Sequence, residues 1–148
     1  MKILYISPHC EFTSQMKITF AENGAQVIYL DDRKNYFMPW LLRGPLIWKL
    51  TRRIPYIRII SNKILNEKAI ELSQKHHPDI LFTGKGLNIK APTVLKIKSM
   101  GIKTATWFME NTYQENYFNW FSNNYFNYDY VFTNDSYLFY KFFNKSTA

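Results

Sequence analysis

The sequence predicts an α/β fold, a Rossmann-like three-layer sandwich with a mostly parallel five-stranded sheet and helices on both faces. Short apolar runs alternate along the chain with segments of helical periodicity, as they do in repeated β–α units. The run at 80–82 (ILF) lies between a Pro-Asp pair and two glycines, with a helical pattern on each side. This context predicts a central strand that is covered on both faces. The 148 residues suffice for one domain with its own core, and we assign 1–148 to it.

The remaining strands are predicted from equally short apolar runs. They are expected at 2–7, 26–30, 102–108 and 130–133. The first two strands and the helix between them form one βαβ unit with a right-handed crossover.

Capping residues mark the predicted helices between these strands. Thr13 is a plausible N-cap for the first helix and Gly24 a residue that ends it; Pro92 fits the first position of a later helix, which Gly101 ends. The other helices are expected at 56–77, in irregular form at 113–128, and at 136–143 after a cap at Asn134 or Asp135.

Composition excludes several classes of protein. The single cysteine, Cys10, cannot form an internal disulfide and cannot build a Cys-rich zinc site, which favours a reducing compartment such as the cytoplasm. The first strand begins at once, so we expect no signal peptide, and no apolar run is long enough to span a bilayer. We expect no cofactor, since the chain has neither a phosphate-binding P-loop nor a dinucleotide-binding glycine motif, and no metal, since the adjacent His76 and His77 point in different directions on a helix.

The net charge of +8 comes from one segment. Eight of the 19 basic residues lie at 33–66, and none of the 11 acidic residues does, so the rest of the chain is balanced. After Pro45 the apolar and basic residues fall on opposite sides of a predicted amphipathic helix, which predicts an inserted helical segment. Six residues are candidates for contact with a membrane or another anionic surface: Trp40, Arg43, Trp48, Lys49, Arg52 and Arg53. The alternatives are a helix that packs on the domain with a solvated basic side, and a homodimer contact; a nucleic-acid interface has only charge and aromatic content in its favour.

Candidate site residues follow the predicted strands. Loops at the carboxyl ends of parallel strands share one edge of the sheet, where ligands of α/β proteins bind. The loop after the first strand carries His9, a candidate general base whose alternative is a loop residue bonded to nearby backbone. The loop after the central strand offers Gly84, Lys85 and Gly86, where the glycines permit close approach of a ligand and the lysine offers charge, although a simple tight turn would also explain them.

Three later residues belong to the same predicted edge. Glu110 and Asn111 follow the fourth strand and Asp135 follows the fifth. Glu110 would equally cap the following helix, and Asp135 fits an N-cap better than a catalyst. Cys10 has no partner in the sequence pattern that would lower the pKa of its thiol, so no reactivity is assigned to it.

Four segments carry a resemblance to a known family. The opening 1–7 (MKILYIS) is similar to the acceptor-side domain of GT-B glycosyltransferases. The segments 78–86 (PDILFTGKG), 101–111 (GIKTATWFMEN) and 128–135 (YDYVFTND) resemble, in order and spacing, the CgeB-like (spore maturation protein-like) branch of those enzymes. The likeness covers most of the chain except 33–60. Members of that branch usually carry Asp at the position of Glu110.

The resemblance implies an N-terminal, acceptor-binding half of a two-domain enzyme. The nucleotide-sugar would be held by a C-terminal half that this chain lacks, so the chain alone would transfer no sugar. In the complete enzyme His9 would be a base or acceptor contact, and Gly84, Lys85 and Gly86 would line the cleft. Glu110 and Asn111 would contact the acceptor or the gap between the two halves. His9 and Glu110 are thus the catalytic candidates, and Asp135 is counted with the substrate-binding residues. Expected partners are a sugar acceptor, such as a lipid-linked or anionic glycan, and the inner face of the membrane. The competing hypothesis is a non-catalytic α/β module that binds a small ligand or a partner.

Overall fold

Among the described residues, five strands and three helices follow the order that the sequence predicts. In this computed structural model, which describes residues 1–34, 54–109, 119 and 123–134, the strands are β1 Lys2–Ser7, β2 Gln26–Asp31, β3 Ile80–Gly84, β4 Lys103–Phe108 and β5 Tyr130–Thr133. The helices are α1 Glu11–Glu22, α2 Pro55–His76 and α3 Ala91–Lys98, and a 3-10 turn at Tyr125–Asn127 leads into β5.

The sheet is parallel throughout, with the strand order β2-β1-β3-β4-β5. The predicted α/β fold is therefore confirmed, and β3 is the central strand. In register, Tyr5 of β1 lies between Tyr29 of β2 and Phe82 of β3. This order is one of the two common doubly wound arrangements, and its direction reverses between β1 and β3.

Helices cover both faces of the sheet. On one face α2 and α3 pack against the side chains of Leu4, Ile6 and Leu81, which form the larger core cluster. On the other face α1 packs Met16 and Phe20 around a smaller cluster that includes Tyr5. Tyr5 makes an edge-to-face contact with Phe20, with ring centroids 5.6 Å apart. The alternation of side chains along each strand thus serves two cores, as a doubly covered sheet requires.

The beginnings of the helices differ from the predicted ones. Helix α1 begins two residues before Thr13, with Cys10 at its N-cap, and the prediction of Thr13 as N-cap is wrong. The Thr13 side chain is fully buried and its hydroxyl donates to the carbonyl of Pro8 (2.7 Å), so it bonds the strand exit rather than the helix end. Helix α3 begins one residue earlier than predicted, which makes Pro92 its second residue rather than its first.

The residues at which the helices end agree better with the sequence prediction than those at which they begin. Gly24 follows the C-cap of α1 with φ +75°, a left-handed conformation that glycine adopts without steric cost. Helix α2 begins at Pro55, whose missing N–H costs nothing at that position. It ends with His77 in the left-handed region at φ 44°. Residues 35–53 of the basic segment, most of the predicted irregular helix and the predicted helix at 136–143 lie outside the described residues.

Candidate functional site at the carboxyl edge of the sheet

A cavity opens where the direction of the strand order reverses. Strand β1 continues into α1 on one face and β3 continues through its loop into α3 on the other, so their exit loops leave in opposite directions. The cavity between them is about 360 Å³ in volume. The segments that follow three neighbouring strands of the sheet, β1, β3 and β4, contribute to its lining. The lining residues are Ser7, Pro8, Cys10, Phe12, Lys85 and Met109. The structure therefore brings the loops after β1, β3 and β4 together, as the sequence predicts.

Buried hydroxyl groups fix the loop after β1. The Thr13 hydroxyl donates to the Pro8 carbonyl, and its oxygen lies 3.0 Å from Oγ of Ser7. Since the Thr13 hydrogen is already used, the Ser7 hydroxyl is the donor in that second bond. Both side chains are almost fully buried, so these bonds hold the strand exit against the first turn of α1 in an environment without competing water.

The loop after β3 contains two consecutive left-handed residues. Lys85 has φ +72° and Gly86 has φ +66°. The backbone N–H of Lys85 donates to the carbonyl of Trp107 (2.8 Å), which extends the β3–β4 pairing beyond the strand. A non-glycine residue in this region is uncommon, and here the hydrogen bond helps to hold it. The half-buried Lys85 thus joins the cavity lining from a defined backbone position.

A group of hydroxyls lies directly beneath Gly86. A Cβ atom at that position would lie 3.0 Å from Oγ1 of Thr83 and from Oη of Tyr128, and 3.2 Å from Oγ1 of Thr106. The Thr83 hydroxyl contacts the Tyr128 hydroxyl at 3.4 Å. Burial raises the pKa of Tyr128 to about 12, although the bond with Thr83 acts in the opposite direction. Tyr128 is therefore a neutral phenol at any physiological pH.

Helix α2 holds the far end of the same loop. Asn66 of α2 is 6% exposed, and its amide group donates to the carbonyl of Asn88 (2.9 Å) and accepts the backbone N–H of Lys90 (2.9 Å). Asn88 in turn reaches Asp32, in the loop after β2, through contacts of 3.4 Å. One buried side chain of α2 thereby fixes the loop after β3, which Asn88 links to that after β2.

His9 lies in the expected loop but apart from the cavity. Its side chain is exposed and does not line the cavity, while its backbone N–H donates to the Asp31 carboxylate (3.2 Å). Gly84 and Gly86 are buried and flank Lys85 as backbone support. The roles assigned to these residues stay predictions. The other candidates lie outside the described residues: Glu110, Asn111, Asp135 and the six of the basic segment, Trp40, Arg43, Trp48, Lys49, Arg52 and Arg53.

Cys10 has the partner that the sequence did not reveal. Its sulfur lies 3.4 Å from Oγ1 of Thr13. Burial by itself would raise the pKa of the Cys10 thiol, but its contacts with the side chain and backbone of Thr13, the charge of Arg33 and the Phe12 backbone outweigh it, and the pKa is lowered. The prediction that nothing lowers the Cys10 pKa is therefore wrong.

The sequence pattern did not indicate several residues that pack against the site or hold its loops. Phe12, which lines the cavity, meets Trp107 of β4 edge-to-face with ring centroids 5.2 Å apart, and this contact joins α1 to β4. Asn66 stands within a helical stripe of apolar residues, and a polar residue in a buried stripe is a usable signal for a structural hydrogen bond. Tyr128 left no comparable signal, because its segment is crowded with aromatic residues.

Among the described residues, no group of His, Cys, Asp or Glu side chains has a geometry that could hold a metal ion, and no helix combines the length and hydropathy needed to cross a membrane. Comparison of the sequence with models of protein families and with curated proteins found no significant match.

Proposed function

We propose that this chain is the acceptor-binding, N-terminal half of a GT-B glycosyltransferase of the CgeB-like type. In such an enzyme a second domain holds the nucleotide-sugar, and the acceptor binds to the half described above. The observation that carries the proposal is the cavity at the β1/β3 reversal, lined by Lys85 and the loop after β1. Ligands of doubly wound sheets bind in the crevice at this point.

The lining of the cavity offers contacts that a saccharide can use. Pro8, Phe12 and Met109 present apolar surface that can pack on the C–H face of a sugar ring. Lys85 carries three N–H donors on a flexible stem, which can reach a ring hydroxyl or an anionic substituent. Gly84 and Gly86 support Lys85 from the interior, since a Cβ atom at either position would meet Ser7 or the hydroxyls of Thr83 and Tyr128. Lys85 is the residue we expect to contact the acceptor.

The other roles rest on the resemblance. His9 would act as a base or acceptor contact from the loop after β1, and Glu110 would share that task. Asn111 and Asp135 would face the gap between the two halves. The protein would then act in the cytoplasm, at the inner face of the membrane when its acceptor is lipid-linked.

An NMR titration tests acceptor binding. The ¹⁵N-labelled chain is titrated separately with methyl glycosides, with an acidic disaccharide and with UDP-sugars. We expect a saccharide without a nucleotide to shift the backbone amides of Lys85, Gly86 and Cys10, and Lys85→Ala to weaken that binding at least tenfold. Lys96→Ala, which removes an exposed lysine from α3, is the matched control and should leave binding unchanged. Shifts caused by UDP-sugars alone would contradict the assignment to the acceptor half.

A transfer assay tests the absence of activity. The chain is incubated with UDP-sugars and the same saccharides, and released UDP is measured. We expect no release above that of a heat-denatured sample, because the proposal assigns donor binding to a second domain and not to these 148 residues. Steady turnover by these 148 residues would refute that part of the proposal.

A non-catalytic binding module is the second candidate, and exposed aromatic residues favour it. Tyr130 and Phe132 on β5 are each about half exposed, and Phe126 is 71% exposed. Exposed apolar surface of this kind often marks an interaction site. A chain that binds no saccharide in the titration but forms a stable complex through β5 would support the module over the transferase.

Membrane contact through the basic segment is a separate part of the proposal and rests on sequence alone. The charge and the two tryptophans at 40–53 favour an anionic surface. Co-sedimentation with vesicles of phosphatidylglycerol and phosphatidylcholine should exceed that with phosphatidylcholine alone, and salt should weaken it. Replacing Arg43, Lys49, Arg52 and Arg53 by Gln should remove the difference. Equal binding to both kinds of vesicle would refute the contact.

A further inference from the structure

The turn between α1 and β2 contains the one Asn-Gly pair of the sequence. Helix α1 ends at Glu22 and strand β2 begins at Gln26. The connection consists of Asn23, Gly24 and Ala25, of which the first two are exposed to solvent. The pair therefore places a side-chain amide next to a backbone nitrogen that no neighbouring Cβ atom shields, at a position that water reaches.

An Asn-Gly pair has a reaction of its own. The glycine nitrogen attacks Cγ of the asparagine side chain, and a new C–N bond closes a cyclic succinimide. The bond from Cγ to the side-chain nitrogen breaks, and that nitrogen takes up the proton lost by the glycine N–H and leaves as ammonia. Water then opens the ring at either carbonyl, which gives aspartate or isoaspartate. The reaction consumes water and needs no oxidant, reductant or enzyme.

The native turn holds the two reacting groups apart. At Asn23 ψ is 19°, so the Gly24 nitrogen nearly eclipses the backbone nitrogen of Asn23 itself and lies away from its Cβ atom. Ring closure needs the Gly24 nitrogen on the side of Cβ, which requires a large rotation of the backbone. The Asn23 side chain also lies back along the helix, where Nδ2 donates to the carbonyl of Thr19 (2.8 Å). The Gly24 N–H donates to the carbonyl of Ala21 (2.9 Å).

The residues beyond the pair restrict that rotation. The N–H of Ala25 donates to the carbonyl of Phe20 (2.9 Å), and the N–H of Gln26 donates to the carbonyl of Met1 (2.9 Å). Ala25 is also buried in the smaller core cluster with Tyr5. The backbone therefore cannot rotate at Asn23 unless the last turn of α1 and this connection open together.

We propose that Asn23 is a modification site that the fold keeps unreactive. It deamidates through a succinimide with Gly24 when the last turn of α1 opens, and not from the closed turn. Local opening of a helix end is less costly than global unfolding, so the reaction reports on this turn in particular. The inference is independent of the proposed function, because it uses only the α1–β2 connection and the chemistry of its residues.

Neither product fits the turn as Asn23 does. Both lack the Nδ2 donor to the Thr19 carbonyl. Both add a negative charge at the carboxyl end of α1, where the helix dipole disfavours anions. Isoaspartate also adds a carbon atom to the main chain between α1 and the buried Ala25. A chain that has opened for long enough to react therefore carries a permanent change that weakens this connection.

Ageing of the native and the unfolded chain tests the proposal. The protein is incubated at one mildly alkaline pH in buffer and in guanidinium chloride. Trypsin then releases residues 18–33, in which Asn23 is the only asparagine. Mass spectrometry measures the change from amide to acid, and chromatography separates aspartate from isoaspartate. We expect the unfolded chain to react as fast as a synthetic 18–33 peptide, and the native chain to react roughly tenfold more slowly or less.

A matched variant and a second measurement identify the site and the opening. Asn23→Gln keeps an amide but would have to close a larger ring, so its 18–33 peptide should stay unmodified in both states. Hydrogen exchange at the Gly24 amide also requires release from the Ala21 carbonyl. The native state should therefore slow deamidation at least as much as it protects this amide from exchange. Low concentrations of guanidinium should accelerate both processes together.

Three results would overturn the proposal. Equal rates in the native and the unfolded chain would show that the turn does not protect Asn23. An unfolded chain that stays unmodified while the synthetic peptide reacts would show that Asn23 is not a modification site. If deamidation is slowed less than Gly24 exchange, the reaction proceeds from the closed turn. Refolded chains that carry isoaspartate should also have a lower denaturation midpoint than unmodified chains, and equal midpoints would contradict the effect on the connection.

Discussion

The ammonium of Lys98 lies 2.9 Å from the carboxylate of Asp129, at the end of the sheet opposite the cavity. The other carboxylate oxygen of Asp129 accepts the backbone N–H (2.8 Å) and the hydroxyl (3.0 Å) of Thr104. This one carboxylate therefore joins the start of β5 to β4 and to the end of α3. Strand β5 has only four residues, and the Asp129 carboxylate fixes its pairing with β4 at the residue just before the strand begins.

Asp129→Asn should lower the free energy of unfolding by about 1 kcal/mol at pH 7, because both partners are partly exposed and water screens the ion pair. Burial by itself would raise the pKa of the Asp129 carboxyl group, but bonds from Lys98 and then Thr104 outweigh it, and the pKa is lowered. A group whose folded pKa is depressed stabilises fully above its unfolded pKa and loses that effect as the pH falls through the folded pKa. Urea unfolding at pH 7 and at pH 3 measures the difference.

The gap between wild type and Asp129→Asn should therefore shrink as the pH falls from about pH 5. Glu71→Gln, at an exposed position of α2, changes the net charge equally and should change stability little at either pH. A gap that is the same at pH 3 and at pH 7 would show that the carboxylate charge does not stabilise β5.

Gly86→Ala should destabilise the protein more than Gly24→Ala. Both positions have positive φ, +66° and +75°, so each alanine incurs a backbone cost of about 1–2 kcal/mol. At Gly24 a Cβ atom meets nothing within 4 Å, whereas at Gly86 it meets the hydroxyls of Thr83 and Tyr128 at 3.0 Å. Overpacking adds roughly 1–3 kcal/mol at Gly86 alone. Chemical denaturation of both variants measures the difference, and equal losses would contradict the crowding beneath Gly86.

Gly84 and Ser7 should show energetic coupling across the cavity floor. A Cβ atom at Gly84 would overlap Oγ of Ser7 and lie 3.1 Å from its Cβ. Gly84→Ala should therefore cost about 1–3 kcal/mol, and Ser7→Gly in the same molecule should recover part of it. A double-mutant cycle measures that coupling, which should reach roughly 1 kcal/mol. Ser7→Gly combined with Gly24→Ala is the control and should be additive; additive losses at Gly84 as well would contradict the prediction.

Asn66→Ala should loosen the loop after β3 as well as destabilise the fold. The substitution leaves the backbone N–H of Lys90 and the carbonyl of Asn88 without their partner, at a cost of about 1–3 kcal/mol. Hydrogen exchange at the Lys90 amide should accelerate more than exchange in β3. In Asn62→Ala, whose backbone carbonyl still accepts from Asn66, the Lys90 amide should stay protected. Uniform acceleration in both variants would mean that Asn66 has no particular role in the loop.

The strands could be predicted because each buried strand corresponds to a short run of apolar residues in the sequence. The run at 80–82 identified the central strand, and the glycines after it identified the loop that meets the exit of β1. The start of α1 could not be predicted, because Thr13 is a good N-cap by type and the choice depends on the Pro8 carbonyl, a contact made only after folding. The support of the site by Asn66 and Tyr128 depends on tertiary contacts over 22 and 45 positions in the chain, which no local pattern encodes.

The hydrogen bonds of Asn66, Thr13 and Lys85 that hold the cavity's loops are all made to other groups of the chain itself. A molecule that enters would meet walls that are already set, so little chain entropy would be lost on its arrival. Recognition of this kind discriminates by shape and tolerates few variants of the bound group. Calorimetry of a tight ligand should accordingly show a heat-capacity change no larger than the contact area itself requires.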